Sequence, residues 1–191
     1  MGIVTKRGDA GQTDLTGRVR TSKASLRVEA YGMVDELISQ LGFARSICKD
    51  EETNNSVRDI QRTLFRVCSS LATPPVSKVE PPELETGFVH SLDGRIRKLE
   101  TTGAIDRDWS LPGEATDAAA MDVARTVCRR TERAVVRMIE SGDEVHPNVI
   151  AYLNRLSDLL WLFARQLEVD AGIEGKLRDD RHPGSRWSRA W

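Results

Sequence analysis

Two glycines, two hydroxyls and two cations lie close together in the segment TKRGDAGQTDL, residues 5–15. Gly8 and Gly11 allow backbone N–H groups to turn towards an anion. The other groups that suit a phosphate are Thr5, Lys6, Arg7 and Thr13. The spacing is not that of the GxxxxGK[ST] loop, and no strand pattern precedes the segment. Two interpretations stay open: a phosphate-binding loop, and a terminal tail without fixed structure.

A row of arginines recurs at helical spacing in the second half of the chain. Four are spaced by i, i+4 and a fifth stands beside them: Arg125, Arg129, Arg133, Arg137 and Arg130. Like charges at this spacing destabilise an isolated helix by a few tenths of a kcal/mol per pair, so the row needs compensating anions. Glu132 supplies only part of that charge. The row is either a solvated basic face or a phosphate clamp, since guanidinium groups bind phosphate in a bidentate manner.

Two further polar sets interrupt otherwise apolar helical patterns. Asn154, Ser157 and Asp158 are spaced by three and four residues in YLNRLSD, and Asp35 and Glu36 lie within the first apolar run. Either set has a plain interpretation, as a solvated surface or as a hydrogen-bonded neighbour of another helix. The carboxylates have a second one, because they can pair with an arginine of the row, and a buried pair is costly to break.

The spacing of apolar residues predicts five helices to carry these groups. Three of them run from Lys23 to about Ile47, from about Ser56 to Leu71 and from Phe88 to Leu99. The fourth spans ATDAAAMDVARTVCRRTERAVVRMIESGD and is closed by Gly142, and the fifth follows HPN at 146–148 and reaches Leu167. In the fourth helix, the residues expected opposite the arginines are Val123, Val127, Ala134 and Met138. Without strand alternation or internal repeats, five helices with short or polar connectors predict an all-α antiparallel bundle.

Length and composition set bounds on the class of protein. The 191 residues suit one domain with a sizeable core. Charged residues make up 30% of the chain and leave a net charge of -1, which argues against nucleic acid or a membrane surface as a partner. Three scattered cysteines indicate neither a disulfide framework nor a zinc site. No stretch approaches the about 18 to 20 apolar residues of a membrane span, so we expect a soluble, cytoplasmic protein.

Five segments, taken in order, resemble the PduO-type ATP:cob(I)alamin adenosyltransferases. They are TKRGDAGQT, VEAYGMVDEL, LFRVCSSLATP, LPGEATDAAAMDVARTVCRRTER and YLNRLSDLLWLFAR, with Lys23 between the first two. The resemblance runs from about residue 3 to 170 and implies a ferritin-like five-helix bundle. It also implies a homotrimer with active sites at the subunit interfaces. On this basis the chain divides into an ATP-binding loop (1–22), the bundle (23–170) and a C-terminal tail (171–191).

The resemblance implies an enzyme that transfers the 5′-deoxyadenosyl group of ATP to cob(I)alamin, with Mg²⁺ accompanying the nucleotide. The expected triphosphate ligands are Thr5, Lys6, Arg7, Gly8, Gly11, Thr13, Asp14 and Lys23. From the other side of an interface, Arg129, Arg130 and Arg133 would complete the phosphate clamp. Glu132 and Asn154 would hold the nucleoside or the metal. Asp35 and Arg125 match a pair that bridges subunits in relatives, and with Arg129 they are the expected catalytic residues.

Members of the family press aromatic side chains against the lower face of the corrin, which favours Co(I) by excluding a lower ligand. The matching positions are Trp109 and Trp161, where most relatives carry phenylalanine, and Trp187 is a third candidate. Tryptophan is larger and brings an N–H donor that needs a partner when buried. Ile38 and Glu114 also depart from the family pattern, which usually has asparagine and glycine there.

These departures keep three functions open. The first is an adenosyltransferase that receives electrons from a reductase and passes its product to a cobalamin-dependent enzyme. The second is a non-catalytic carrier or sensor of ATP or corrinoid, and the third is a helical interaction module that binds no nucleotide. The retained arginine row favours the enzyme, because a site without an anion gains nothing from it.

Overall fold

The computed structural model describes residues 4–102, 105, 110–173 and 177. Trp109 and Trp187, both predicted to contact the corrinoid, lie outside the described residues, as does most of the predicted tail. Five helices account for most of the described chain: α1 (Leu26–Ile47), α2 (Glu51–Leu71), α3 (Thr86–Thr101), α4 (Thr116–Glu140) and α5 (Pro147–Asp170). The predicted all-α bundle of five helices is confirmed.

Side-chain caps set the first residues of α1 and α2. The Ser25 hydroxyl accepts a hydrogen bond from the Val28 N–H at 3.4 Å, so α1 begins at Leu26 and not at Lys23. The Asp50 carboxylate accepts one from the Thr53 N–H at 2.6 Å, which starts α2 several residues before its apolar periodicity. As a result Lys23 lies outside the helix, next to the N-terminal loop.

Helix α4 lies at the centre of the bundle. It packs against α1 on one side and α5 on the other, while α2 covers α1 and α3 covers α5. The core between them is aliphatic, and its largest fully buried side chains include Leu37, Leu41, Leu64, Met121, Leu153 and Leu156. Burying a side chain of this size stabilises the fold by about 1.5–3 kcal/mol. Of the residues expected opposite the arginines, Val127, Ala134 and Met138 are buried, but Val123 is 47% exposed.

A small β-hairpin precedes the bundle, contrary to the expectation of no strands. Strands β1 (Gln12–Asp14) and β2 (Arg20–Ser22) pair antiparallel, with Thr13 opposite Thr21. Each strand has three residues, too few for a period-2 pattern to be visible in the sequence. Gly17 occupies the turn at φ +80°, a conformation that favours glycine. None of the described helices combines the length and apolarity needed to cross a bilayer.

Candidate active site

The N-terminal segment is an ordered loop in the described residues, which removes the interpretation as a structureless tail. Gly11 takes φ +77°, and its N–H donates to the Gly8 carbonyl at 3.1 Å. Asp14 binds two cations, with its oxygens 2.8 Å from Arg7 Nη2 and 3.3 Å from Arg20 Nη1. The loop is therefore held in shape by its own backbone turn and by a carboxylate shared between two arginines.

Lys23 joins this loop from the residues just before α1. Its N–H donates to the Gly11 carbonyl at 2.9 Å. Its ammonium lies against Gly8, because a Cβ added to that glycine would fall 3.0 Å from Lys23 Nζ. The absence of a side chain at Gly8 thus makes room for the lysine. Thr5, Lys6 and Arg7 are exposed on the same loop, so the predicted triphosphate ligands lie together.

Helix α1 supplies anions for part of the arginine row. Arg137 Nη2 donates to Glu29 Oε1 at 2.6 Å, and Arg130 pairs with Glu36. The two acids are seven residues apart on α1, as are the two arginines on α4, so both pairs span the same helix interface two turns apart. Of the two α1 carboxylates singled out in the sequence, Glu36 pairs with the row, as one interpretation held, and Asp35 does not pair with it.

Two arginines of the row stay open. Arg129 and Arg133 are exposed and make no hydrogen bond or ion pair with any described residue. Beside them Asn154 Nδ2 of α5 donates to Glu132 Oε1 of α4 at 3.3 Å, which brings these two predicted ligands into contact. Burial raises the pKa of the nearby Asp158 carboxyl, and Arg129 is among the cations that partly offset this. This face combines free guanidinium groups with an amide–carboxylate pair.

Asp35 and Arg125 do not meet within the chain. Asp35 is exposed on α1, whereas Arg125 is half-buried and donates through Nε to Asp122 Oδ1 at 2.9 Å. The i, i+3 spacing of Asp122 and Arg125 places this pair on one face of α4. A bridge from Asp35 to Arg125 between subunits stays a prediction.

The loop and the arginine face are separate surfaces of one chain. The loop is fixed at the end of α2, where the Thr16 N–H donates to the Ala72 carbonyl at 3.0 Å and Gly17 lies against Ser77. In the part of the chain that the structure describes, no hydrogen bond or ion pair links residues 5–14 to Arg129, Arg133 or Asn154. The loop and the arginine face are therefore held by different sets of contacts within the chain.

Trp161 borders an open cleft between α3 and α5. The cleft has a volume of about 510 Å³, and its walls are Asp93, Ile96, Arg97, Glu100, Ile105, Arg155, Asp158, Trp161 and Leu162. Trp161 is half-buried, and the Arg165 guanidinium lies 5.6 Å from the centroid of its ring. This exposure differs from that of ordinary bundle core and leaves part of the ring accessible to a ligand. The corrinoid contact of Trp161 stays a prediction.

The two other departures from the family pattern lie in different environments. Ile38 is 7% exposed and belongs to the core between α1 and its neighbours, where its carbonyl accepts from Gln61 Nε2 at 2.9 Å. Glu114 is exposed in the turn before α4.

The sequence did not reveal a buried ionic cluster between α4 and α5. Arg165 Nη2 lies 2.7 Å from Asp122 Oδ2 and 2.9 Å from Glu168 Oε1, and all three side chains are buried. Asp122 lies three residues before Arg125 and seven before Arg129, in the phase of the arginine row, so the helical pattern gave no signal that its side chain is buried.

Residues 3–167 match the family model described as cobalamin adenosyltransferase. The chain belongs to this family. It is 38% identical over 177 residues to a corrinoid adenosyltransferase of Bacillus subtilis. That alignment covers 91% of this chain and 90% of the relative. It is 37% identical over 190 residues to the corrinoid adenosyltransferase PduO of Salmonella typhimurium, covering 94% of this chain and 53% of the relative. The chain thus spans about half the length of that second relative.

A solved structure gives the same result for the fold. It is a variant of the PduO-type ATP:corrinoid adenosyltransferase from Lactobacillus reuteri, complexed with cobalamin and ATP. The TM-score is 0.87 at 31% sequence identity, and the match covers 94% of this chain and 100% of the other. The family resemblance predicted from the five sequence segments is confirmed.

Proposed function

We propose that this protein is a corrinoid adenosyltransferase that moves the 5′-deoxyadenosyl group of ATP to cob(I)alamin and releases triphosphate. The observation that carries the proposal is the open arginine face. Arg129 and Arg133 have no anionic partner among the described residues and stand beside the Asn154–Glu132 pair, in a chain of the cobalamin adenosyltransferase family. The relatives named above are corrinoid adenosyltransferases, and the Lactobacillus reuteri structure holds both ATP and cobalamin.

The reaction is a displacement at C5′ of ATP. The electron pair of Co(I) forms the Co–C bond while the bond from C5′ to the triphosphate oxygen breaks, so cobalt becomes Co(III) and triphosphate leaves with the bonding electrons. No proton is removed from either reactant, and the protein needs no general base. The nucleophile comes from the cofactor's own electronic structure. What remains for the protein is to align C5′ with cobalt and to stabilise the negative charge of the departing group.

The triphosphate would be held from two sides. The loop offers Lys6, Arg7 and Lys23 with the backbone around two glycines, and α4 offers the guanidinium groups of Arg129 and Arg133. No hydrogen bond or ion pair joins the loop to the arginine face among the described residues, and the family resemblance implies sites between subunits. We therefore place the site at an interface, where the loop of one copy meets α4 of another. The threefold symmetry of a homotrimer would produce three such sites. Arg130 would also bind the triphosphate, after the nucleotide displaces Glu36 from its guanidinium group.

Mg²⁺ is expected to accompany ATP, and the residues fit that role. In residues 4–102 and 110–173, no group of three His, Cys, Asp or Glu side chains forms a dedicated metal site. Mg²⁺ usually takes one or two carboxylates and otherwise phosphate oxygens and water. Glu132 is the carboxylate that the open face offers, since Asp14 is already engaged by Arg7 and Arg20. The ion would help to neutralise the triphosphate charge.

The corrinoid would meet the aromatic side chains at the α3–α5 side of the bundle. Trp161 presents part of its ring to the cleft, and Trp109 and Trp187 are proposed as further contacts. An apolar surface beneath the corrin excludes a lower axial ligand, which favours the electron-rich Co(I) state. We further propose a cytoplasmic location, electrons from a separate reductase, and delivery of the product to a cobalamin-dependent enzyme. The three free cysteines are compatible with a reducing compartment.

An anaerobic assay tests the proposal. The protein is mixed with MgATP and chemically reduced cob(I)alamin, the loss of the Co(I) absorbance band is followed, and the corrinoid product is identified by mass. Adenosylcobalamin should form at a rate proportional to protein concentration, and no product should form when ADP replaces ATP. Tight ATP binding by calorimetry without product would indicate the carrier or sensor, and neither signal would leave a helical interaction module.

The oligomeric state is tested separately. Light scattering on the purified protein should give the mass of three chains, each of 21.3 kDa. A monomer that transfers the adenosyl group at the full rate would contradict a site at a subunit interface.

A further inference from the structure

The buried ionic cluster between α4 and α5 has three charged members. Arg165 reaches Asp122 and Glu168 through the same nitrogen, Nη2, at 2.7 and 2.9 Å. The side chains are 7%, 5% and 3% exposed for Arg165, Asp122 and Glu168. Arg165 Nε is also 2.8 Å from Glu168 Oε2, but its N–H is not directed at that oxygen, so this contact is electrostatic and not a hydrogen bond.

Each member of the cluster also holds a group outside it. Asp122 Oδ1 accepts from Arg125 Nε at 2.9 Å, and Glu168 Oε2 accepts from the Ser110 hydroxyl at 3.5 Å. Arg165 itself lies over the indole of Trp161. With Arg125 included, two carboxylates balance two guanidinium groups. The cluster therefore ties together a residue of the arginine row, the segment before α4 and the aromatic ring of the cleft.

Stability alone does not account for this arrangement. Buried ion pairs are often no more stabilising than apolar residues of the same size, because desolvation offsets the attraction between the charges. The choice of arginine has a more specific reason. A guanidinium group is planar, so it can bind carboxylates along its edge and stack on an aromatic ring with its face. A lysine at this position could keep the charge but could not do both.

We propose that Arg165 is a positioning residue for the corrinoid: it fixes the orientation of the Trp161 ring, and Asp122 and Glu168 fix Arg165. The inference rests on the proposed function, since it takes Trp161 to contact the corrin. Its consequence is selective. Loss of the planar group should weaken corrinoid binding while ATP, which is held by the loop and the arginine face, binds as before.

The test is Arg165→Lys, which keeps the positive charge inside the cluster and removes the planar guanidinium group that lies over the ring. The KM for cob(I)alamin should rise about tenfold, because the ammonium group cannot bind the carboxylates and cover the ring face at the same time. The KM for ATP should stay within about twofold of the wild-type value. The dissociation constant for cob(II)alamin, from absorbance titration, should rise by the same factor and gives a readout that does not depend on turnover. An unchanged corrinoid KM and dissociation constant would overturn the inference.

A double-mutant cycle identifies the route of the effect. Trp161→Leu removes the ring, so adding Arg165→Lys to that variant should change the corrinoid dissociation constant by less than about twofold. If Arg165→Lys weakens binding equally with and without the ring, Arg165 does not act through Trp161 and the inference fails. Trp161→Phe keeps an aromatic face and should keep most of the coupling.

Folding needs its own control, because the cluster is buried. Arg27 is a matched residue at the start of α1: its side chain is 6% exposed and Nη2 donates to Asp143 Oδ1 at 2.7 Å. Arg27→Lys should lower the thermal midpoint without raising the corrinoid dissociation constant. If Arg165→Lys does not fold, Arg165→Met combined with Glu168→Gln keeps the charge balanced and carries the same prediction.

The outcomes separate this inference from the proposed function. A wild-type protein that makes adenosylcobalamin, with an Arg165→Lys variant of normal corrinoid affinity, overturns only the positioning role. A wild-type protein that neither transfers the adenosyl group nor binds cob(II)alamin overturns the proposed function and the inference with it.

Discussion

Arg129 and Arg165 belong to neighbouring helices but have opposite environments. Arg129 is exposed on α4 and has no hydrogen-bond or ion-pair partner among the described residues. Arg165 is buried on α5, bonded to two carboxylates and placed over an indole ring. The first guanidinium group is free to take a ligand, whereas the second is committed to the protein. The role of an arginine in this bundle therefore follows from the burial of its side chain and not from residue type alone.

The energetics of the two regions differ for the same reason. An exposed ion pair contributes about 0–1 kcal/mol, because water screens the charges and the side chains lose entropy. Removing one partner of a buried pair costs about 3–5 kcal/mol, because the remaining charge is left without water and without a counter-charge. Arg130 and Glu36 represent the exposed case, with side chains 47% and 46% exposed, and Arg165 with Asp122 represents the buried case.

The largest effect is expected from Asp122→Ala. The substitution leaves Arg165 and Arg125 without their shared carboxylate, so the free energy of unfolding should fall by about 3–5 kcal/mol in urea titrations. The matched control is Glu36→Ala, which removes an exposed partner of Arg130 and should cost less than about 1 kcal/mol. If the two substitutions lowered the free energy of unfolding equally, the buried cluster would contribute no more to stability than an exposed ion pair.

The next effect is on activity and not on stability. Arg129→Ala should reduce the rate of adenosylcobalamin formation by about 10²- to 10³-fold, as expected for removal of a group that stabilises charge in the transition state. Its thermal midpoint should stay close to the wild-type value, since Arg129 makes no hydrogen bond or ion pair with a described residue. Arg62→Ala, which removes an exposed arginine of α2 that pairs with Asp59, is the control and should keep full activity. Normal turnover by Arg129→Ala would exclude its role in the phosphate clamp.

The smallest effect concerns the pH dependence of the cluster. Burial raises the pKa of Glu168 above its ordinary value of 4.5, while Arg165 only partly offsets this. The folded protein therefore holds this proton more tightly than the unfolded chain, so the contribution of Glu168 to stability is full below the unfolded pKa. It is lost as the pH rises through the folded pKa.

Glu168→Gln removes that titration. Relative to wild type, the variant should gain stability as the pH rises from about 4 through the folded pKa of Glu168, and the difference should then level off. Urea unfolding of both proteins across this pH range measures it. If Glu168→Gln instead lost stability relative to wild type as the pH rose over this range, the ion pair with Arg165, and not burial, would control the pKa of Glu168.

The sequence by itself determined the helices and the family. Apolar residues at steps of three and four located all five helices, since one face of each must be buried against the others. The first residues of α1 and α2 were less well predicted. The caps Ser25 and Asp50 set them, and these caps do not coincide with the start of the apolar pattern. The five ordered segments identified the cobalamin adenosyltransferase family, because loop and helix residues for phosphate binding recur there in a fixed order.

Only the tertiary structure decided which charges are free and which are paired. The sequence placed five arginines along α4 but could not show that α1 neutralises Arg130 and Arg137, because that depends on the register of two antiparallel helices. It gave no indication that Asp122 meets Arg165, which is far away along the chain and adjacent only after α4 and α5 pack. Nor could it show that Lys23 reaches the loop through the space above Gly8. Periodicity encodes which face of a helix is buried, whereas pairing depends on which faces meet.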